Sequence, residues 1–261
     1  MAGTLFVLPV PLAEMAACEV LPPPVLRVAR EAQYVLAENA RSARAFLKAA
    51  GHPGPIRQVR IVEIGHDPQR AQALEWLAPL RAGASDAALV SECGCPGVAD
   101  PGAAIVACAH DFGVPVRPLV GPSSVLLALM ASGMNGQHFR FLGYLPQPAG
   151  ELAQTLRRIE RDATQGETQI FIETPYRTER LFDAILAHCA DSTRLCLALD
   201  LGSSSEATIT RRIGQWRAMS AAERPALQRR PAVFLLHGDS ASGSSAGAPA
   251  QAVGSPRSGR Q

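Results

Sequence analysis

The chain has 261 residues, 47% of them hydrophobic, with 25 Lys and Arg against 23 Asp and Glu. That is enough chain for one large or two modest cored domains, and a net charge of +2 is too small to announce a nucleic-acid partner by itself. Lys48 is the only lysine; every other cationic side chain is Arg, which stays charged and makes forked hydrogen bonds. The six cysteines, at 18, 93, 95, 108, 189 and 196, follow no disulfide-framework spacing. Residues 1–11 carry no charged stretch and no small-residue cleavage site, so a cytoplasmic protein with free thiols is expected. The longest apolar stretch, residues 125–134, is too short for a bilayer, and no membrane partner is expected.

In chain order, the first half alternates short apolar runs with helical patterns. Strands are expected at residues 4–8, 34–37, 60–64, 87–91 and 114–119, and helices at 40–50, 68–82, 102–112 and 123–132. Alternation at these lengths predicts a parallel sheet flanked by helices. A Pro-rich stretch at 143–150 marks a change of texture. Beyond it, helices are expected at 151–163 and 178–189, and strands at 169–172, 194–201, 207–212 and 232–237. The second half reads as another α/β layer with some antiparallel pairing. From residue 240 the composition collapses to Ser, Gly, Ala, Pro and Arg, too poor in apolar surface to order itself. The expected organisation is therefore an α/β protein of two domains, 1–144 and 145–239, with a disordered tail at 240–261.

Two loops stand out. One, Glu92-Cys93-Gly94-Cys95-Pro96-Gly97-Val98-Ala99-Asp100-Pro101-Gly102, follows the fourth strand. The other, Val120-Gly121-Pro122-Ser123-Ser124, follows the fifth and opens into an apolar helix. Ligands of open parallel sheets bind beyond the carboxyl ends of the strands. Glycines allow close backbone approach, prolines fix the path, and Ser123 or Ser124 is placed to cap the next helix. Each loop alone also reads as an ordinary strand–helix turn; two on neighbouring strands predict a ligand crevice. The G-x-G-x-x-G, G-x-x-x-x-G-K-[ST] and H-E-x-x-H patterns are absent. Cys93-Gly94-Cys95 lacks a second ligand pair, so no metal is expected. Gly243-Ser244-Ser245-Ala246-Gly247 matches a hydrolase elbow only formally, inside the low-complexity tail.

Taken together, Gly3-Thr4-Leu5-Phe6-Val7-Leu8-Pro9-Val10-Pro11, Glu38-Asn39-Ala40-Arg41, the two loops, residues 139–146, Glu173-Thr174-Pro175-Tyr176-Arg177 and Pro231-Ala232-Val233-Phe234 resemble the tetrapyrrole methylase family, in this order over residues 3–238. Within that family the likeness runs to the branch that methylates ribose hydroxyls of small-subunit ribosomal RNA. The resemblance implies two α/β domains with S-adenosylmethionine in the cleft between them, a homodimer, and ribosomal RNA as the first acceptor to consider. A tetrapyrrole-like small molecule, or cofactor sensing without catalysis, are the alternatives.

The cofactor residues it implies are Pro9, Glu92, Cys93, Gly94, Gly97, Asp100, Gly121, Pro122, Ser123, Ser124, Glu173, Thr174, Pro175, Pro231 and Ala232. For Glu173 with Arg177, an ion pair at the start of a helix is an equal reading. Where the RNA-modifying branch reads Pro-Thr-Pro-Ile-Gly-Asn, Glu-Asp-Thr-Arg and Arg-Glu-Leu-Thr-Lys, this chain has Pro9-Val10-Pro11-Leu12-Ala13-Glu14, Glu38-Asn39-Ala40-Arg41 and Ala198-Leu199-Asp200-Leu201-Gly202. Glu38 with Arg41, and Glu14, are the remaining catalytic candidates, with Glu92 beside them.

Overall fold

Four of the five apolar runs of the first half are bounded by turn residues and too short for helices, and all five pair as strands. The structure, a computed structural model, describes residues 2–14 and 16–238. The tail expectation for 240–261 lies outside the described residues. β1 (Leu5–Val7), β2 (Tyr34–Ala37), β3 (Arg60–Glu63), β4 (Ala87–Val90) and β5 (Val116–Pro118) form a sheet of order β3-β2-β4-β1-β5. Every pairing in it is parallel, as expected.

Both faces of this sheet are covered at its centre, which is why β2 and β4 read as continuous apolar runs. The edge strands β3 and β5 carry charged residues and are partly exposed. Val35, Ala37, Ala88 and Val90 pack with Val25, Leu26, Phe46 and Leu47 from α2 (Pro23–Glu31) and α3 (Ala40–Ala49). The alternate residues Leu36 and Leu89 pack with Leu77, Leu80 and Ile105 from α4 (Arg70–Arg81) and α5 (Gly102–Asp111). Helix α2, and the short α1 (Ala17–Val20) before it, were not expected from the sequence. Pro23 and Pro24 look like breakers, yet they occupy the first turn, where a missing N–H costs nothing.

β6 (Phe139–Tyr144), which lies before the expected 144/145 boundary, pairs in parallel with β7 (Thr168–Glu173) in a second sheet of order β6-β7-β10-β8-β9. β8 (Arg194–Leu199), β9 (Ala207–Arg212) and β10 (Ala232–His237) pair antiparallel, β10 lying between β7 and β8. One face packs Phe171, Leu197 and Phe234 against α7 (Ala149–Thr164), α8 (Thr178–His188) and the short α9 (Ile213–Ala218), around a buried Trp216. The opposite face packs Ile170, Cys196, Val233 and Leu235 against Val125, Ala128 and Leu129 of α6 (Ser124–Ser132). Helix α6, last of the first half in sequence, thus forms part of the second half's core.

Candidate functional site

The carboxyl ends of the parallel strands and one edge of the α6-bearing face of the second sheet enclose a cleft of about 870 Å³. From the first half it is lined by Leu12 and Ala13 after β1, Glu38 after β2, the 91–100 loop after β4, and Ser123 and Ser124 at the start of α6. The second half contributes Phe141, Tyr144, Ile172 to Pro175, Ala198, Asp200, Leu201, Ser203, Ser205 and Arg229 to Val233.

The two Gly–Pro loops are neighbours, as expected. Cys95 Sγ donates to the Pro122 carbonyl at 3.2 Å, and Val10 N–H donates to the Gly94 carbonyl at 2.9 Å, joining both loops to the one after β1. Gly94 has φ +72, a conformation glycine adopts without steric cost. A Cβ on Gly121 would lie 2.2 Å from Cβ of Pro9, so only glycine lets these loops close on one another. Asp100 ties its loop to the start of α5 by accepting from Gly97 N–H at 2.8 Å and Gly102 N–H at 2.7 Å. Its second carboxylate oxygen is buried without a partner, and burial raises the pKa of this carboxyl against the pull of those two donors.

Glu38 is the carboxylate whose setting suits proton transfer. Its Oε2 accepts from Glu92 N–H at 3.2 Å and its Oε1 lies 3.6 Å from Nδ1 of the exposed His66. Burial raises its pKa above the ordinary glutamate value of 4.5, and the charges of Glu92 and Asp100 push the same way. No arginine pairs with it among the described residues. Asn39 caps α3 immediately afterwards, its Oδ1 accepting from Arg41 N–H at 2.8 Å and Ser42 N–H at 3.2 Å.

Of the residues singled out in the sequence, Glu38, Glu92, Cys93, Gly94, Asp100, Ser123, Ser124, Glu173, Thr174, Pro175, Pro231 and Ala232 line the cleft. Pro9, Gly121 and Pro122 stand behind it, packing the loops together. Gly97 faces an outer apolar groove beside Val7 and Pro118. Arg41 and Glu14 are exposed and outside the lining. Ser123 occupies the N-cap position of α6 but makes no side-chain cap bond. For Glu173 the ion-pair reading holds: Oε1 accepts from Arg177 Nε at 2.9 Å and Nη2 at 2.7 Å.

The sequence reading missed much of the C-terminal wall. Asp200 and Arg230 join there, Arg230 Nε donating to Asp200 Oδ2 at 2.6 Å while Ser205 Oγ donates to the same oxygen at 2.9 Å. Ala99, Asp200 and Arg229 have φ of 60°, 48° and 60°. All three line the cleft, and they are the non-glycine residues of positive φ among the described residues. Strain of this kind concentrates at functional sites. The run Ser203-Ser204-Ser205 and the pair Arg229-Arg230 before the last strand were the available signals.

The sequence profile of the family described as tetrapyrrole (corrin/porphyrin) methylases matches residues 17–217. This chain belongs to the tetrapyrrole methylase family, whose members are S-adenosylmethionine-dependent methyltransferases. It is 31% identical over 176 residues to a ribosomal RNA small subunit methyltransferase I of Pseudomonas aeruginosa, covering 67% of this chain and 58% of that protein. A protein of the same description from Neisseria meningitidis serogroup A is 29% identical over 221 residues, 85% of this chain and 72% of the relative. The fold is that of uroporphyrin-III C-methyltransferase from Thermus thermophilus, solved with S-adenosylhomocysteine, at a TM-score of 0.51 and 20% identity, covering 90% of this chain and 97% of that one.

Proposed function

We propose that this protein transfers a methyl group from S-adenosylmethionine, bound in the interdomain cleft, to a ribose 2′-hydroxyl of small-subunit ribosomal RNA, with Glu38 as the proton acceptor. The observation that carries the reading is Glu38 itself: a cleft-lining carboxylate with a raised pKa and no arginine partner among the described residues, sitting where an acceptor from solvent can reach it. The names of the relatives point to the acceptor.

The cleft fits the cofactor in its chemistry. Loop backbone at Gly94, Ser123 and Ser124 supplies amide groups for polar ends, apolar Val125, Ile172 and Val233 offer surface for a nucleobase, and Glu38, Glu92 and Asp100 favour a positive charge. When bound, S-adenosylmethionine supplies a methyl already activated on a sulfonium. What the chain adds is alignment, exclusion of water, and a carboxylate to take the hydroxyl proton. The reading carries with it a cytoplasmic location, in keeping with cysteines that are all free, and a homodimer, in keeping with the exposed Leu126 and Met130 on α6.

One observation favours a smaller, tetrapyrrole-like acceptor. Arg157, Arg158 and Arg161 lie on α7, which packs on the face of the second sheet opposite the α6-bearing face that lines the cleft. They cannot join Arg41 and Arg44 in a basic stripe along the cleft rim. Tritiated-methyl transfer with extract from cells lacking this gene, fractionated into RNA, protein and small molecules, separates the readings. Label in small-subunit ribosomal RNA is the expected result. Label in small molecules alone sinks the RNA reading, and none in any fraction sinks every catalytic one.

A further inference from the structure

Arg229 occupies a place where arginine is the wrong residue for the backbone. Leu227 to Arg230 form a four-residue turn, closed by Arg230 N–H donating to the Leu227 carbonyl at 3.2 Å. Arg229 is its third residue, with φ +60, the position where glycine or asparagine is favoured because a Cβ is strained there. The flanking structure holds it in place. Arg230 is fixed by Asp200 at 2.6 Å and by the Ser205 carbonyl at 2.7 Å, and its own carbonyl accepts from buried Thr178 Oγ1 at 3.0 Å. Asp200 N–H donates to the Pro231 carbonyl at 3.1 Å.

The side chain so placed is exposed, lines the cleft and has no hydrogen-bond or ion-pair partner among the described residues. It has no carboxylate to turn to on its own wall. Asp200 Oδ2 is taken by Arg230 and Ser205, and Glu173 by Arg177. The carboxylates Glu38, Glu92 and Asp100, none of them paired with an arginine among the described residues, belong to the opposite half of the lining. The cleft therefore has a negative N-terminal wall and a free guanidinium on its C-terminal wall.

We propose that Arg229 is the anion-recognition residue for the methyl acceptor: its guanidinium takes a phosphodiester oxygen of the RNA, so that the hydroxyl end of the same nucleotide is turned toward Glu38. Guanidinium forks pair with phosphate in a plane by two donors, and the carboxylates opposite repel the same phosphate, so a single nucleotide orientation is favoured. This rests on the reading of the cleft as a methyl-transfer site, but the binding it requires is measured without turnover.

The test is fluorescence anisotropy with a labelled single-stranded RNA from the small subunit, over a salt series, for the wild type, Arg229→Gly and Arg229→Lys. Arg229→Gly removes the guanidinium and relieves the backbone at once. It is expected to melt at the same or a higher temperature, to bind S-adenosylhomocysteine within twofold of wild type by calorimetry, and to lose about tenfold in RNA affinity. The slope of log K against log salt should become shallower by about 0.7, one phosphate contact on a single strand. Arg229→Lys, which keeps the charge and loses the fork, should keep the wild-type salt slope and recover only part of the affinity.

A parallel titration with uroporphyrin, a polycarboxylate macrocycle, identifies the source of the anion. Arg229-dependent binding of uroporphyrin without RNA binding upholds the anion role and sinks the RNA acceptor. If neither probe binding depends on Arg229, or if Arg229→Gly weakens only S-adenosylhomocysteine, the inference falls, while the transferase reading stands on its own label-transfer result.

Discussion

The N-terminal wall of the cleft is made by backbone and the C-terminal wall by side chains. On the first, bends at Gly94 and Gly121 bring main chain to the surface, and the charged groups present are carboxylates. On the second, an Asp200–Arg230 pair and a strained Arg229 shape two loops that contain no such Gly–Pro sequence. A parallel sheet presents its strand ends and helix starts on one edge, so loops there reach a ligand directly. The second sheet is largely antiparallel, and its connections must be braced by side-chain contacts before they can face the same ligand. Under the proposed function, the first wall holds the cofactor and the second selects what is methylated.

The division of labour is sharpest at Glu38. Glu38→Gln is expected to lower kcat by about 10²–10⁴-fold and to leave S-adenosylhomocysteine affinity unchanged, as read by initial rates and calorimetry. In the wild type kcat should rise with pH through a value above 4.5, since burial raises this carboxyl and the ionised form is the one that accepts a proton. The stability effect has the opposite sense. A raised folded pKa stabilises the native state below the unfolded pKa, and that contribution is lost as pH rises through the folded value. Glu38→Gln should therefore unfold at the same or a higher temperature at pH 8. Equal loss of cofactor affinity and kcat would erase the distinction between holding and reacting.

The next effects concern each half's support. Trp216 is fully buried, meets Phe182 edge-on with ring centroids 5.4 Å apart, and donates Nε1–H to the Leu195 carbonyl at 3.2 Å. Trp216→Ala should cost about 3–5 kcal/mol in urea unfolding. Gly121→Ala drives a Cβ into Pro9 and should cost roughly 1–3 kcal/mol, together with a loss of S-adenosylhomocysteine affinity. A Gly121→Ala protein that keeps full affinity would separate the loop packing from the cofactor. The smallest effect is on thiol chemistry. Burial pushes Cys189 up to about 12 and Cys196 up to about 11, so iodoacetamide at pH 8 should label the exposed Cys18 first by mass spectrometry and leave Cys189 and Cys196 intact. Cys93 should label more slowly than Cys18, because burial and the charges of Glu38 and Glu92 raise its thiol.

The same contrast explains what could be read from the sequence. The centre of the first sheet was legible because both its faces are buried and its runs are continuously apolar, as in Tyr34–Ala37 and Ala87–Val90. β6 was not recognised as a strand, since it lies at a sheet edge, is half exposed, and shifts register around Gly143 at φ +65. α2 hid behind its prolines. Glycines and prolines marked the N-terminal loops because a tight bend restricts residue type. Nothing comparable marks Asp200 and Arg230, which lie 30 positions apart in the chain and meet only through the fold. Left-handed backbone at Asp200 and Arg229 is likewise invisible where no glycine flags it.

Helix α6 begins at the cleft with Ser124 and buries Val125, Ala128 and Leu129 in the core of the second sheet, where Thr210 Oγ1 also donates to the Ser132 carbonyl at 2.9 Å. Helix α6 thereby belongs to the second sheet in packing though to the first half in sequence, and the chain crosses between the halves at residues 119–123, within the loop that meets the cleft at Ser123 and Ser124.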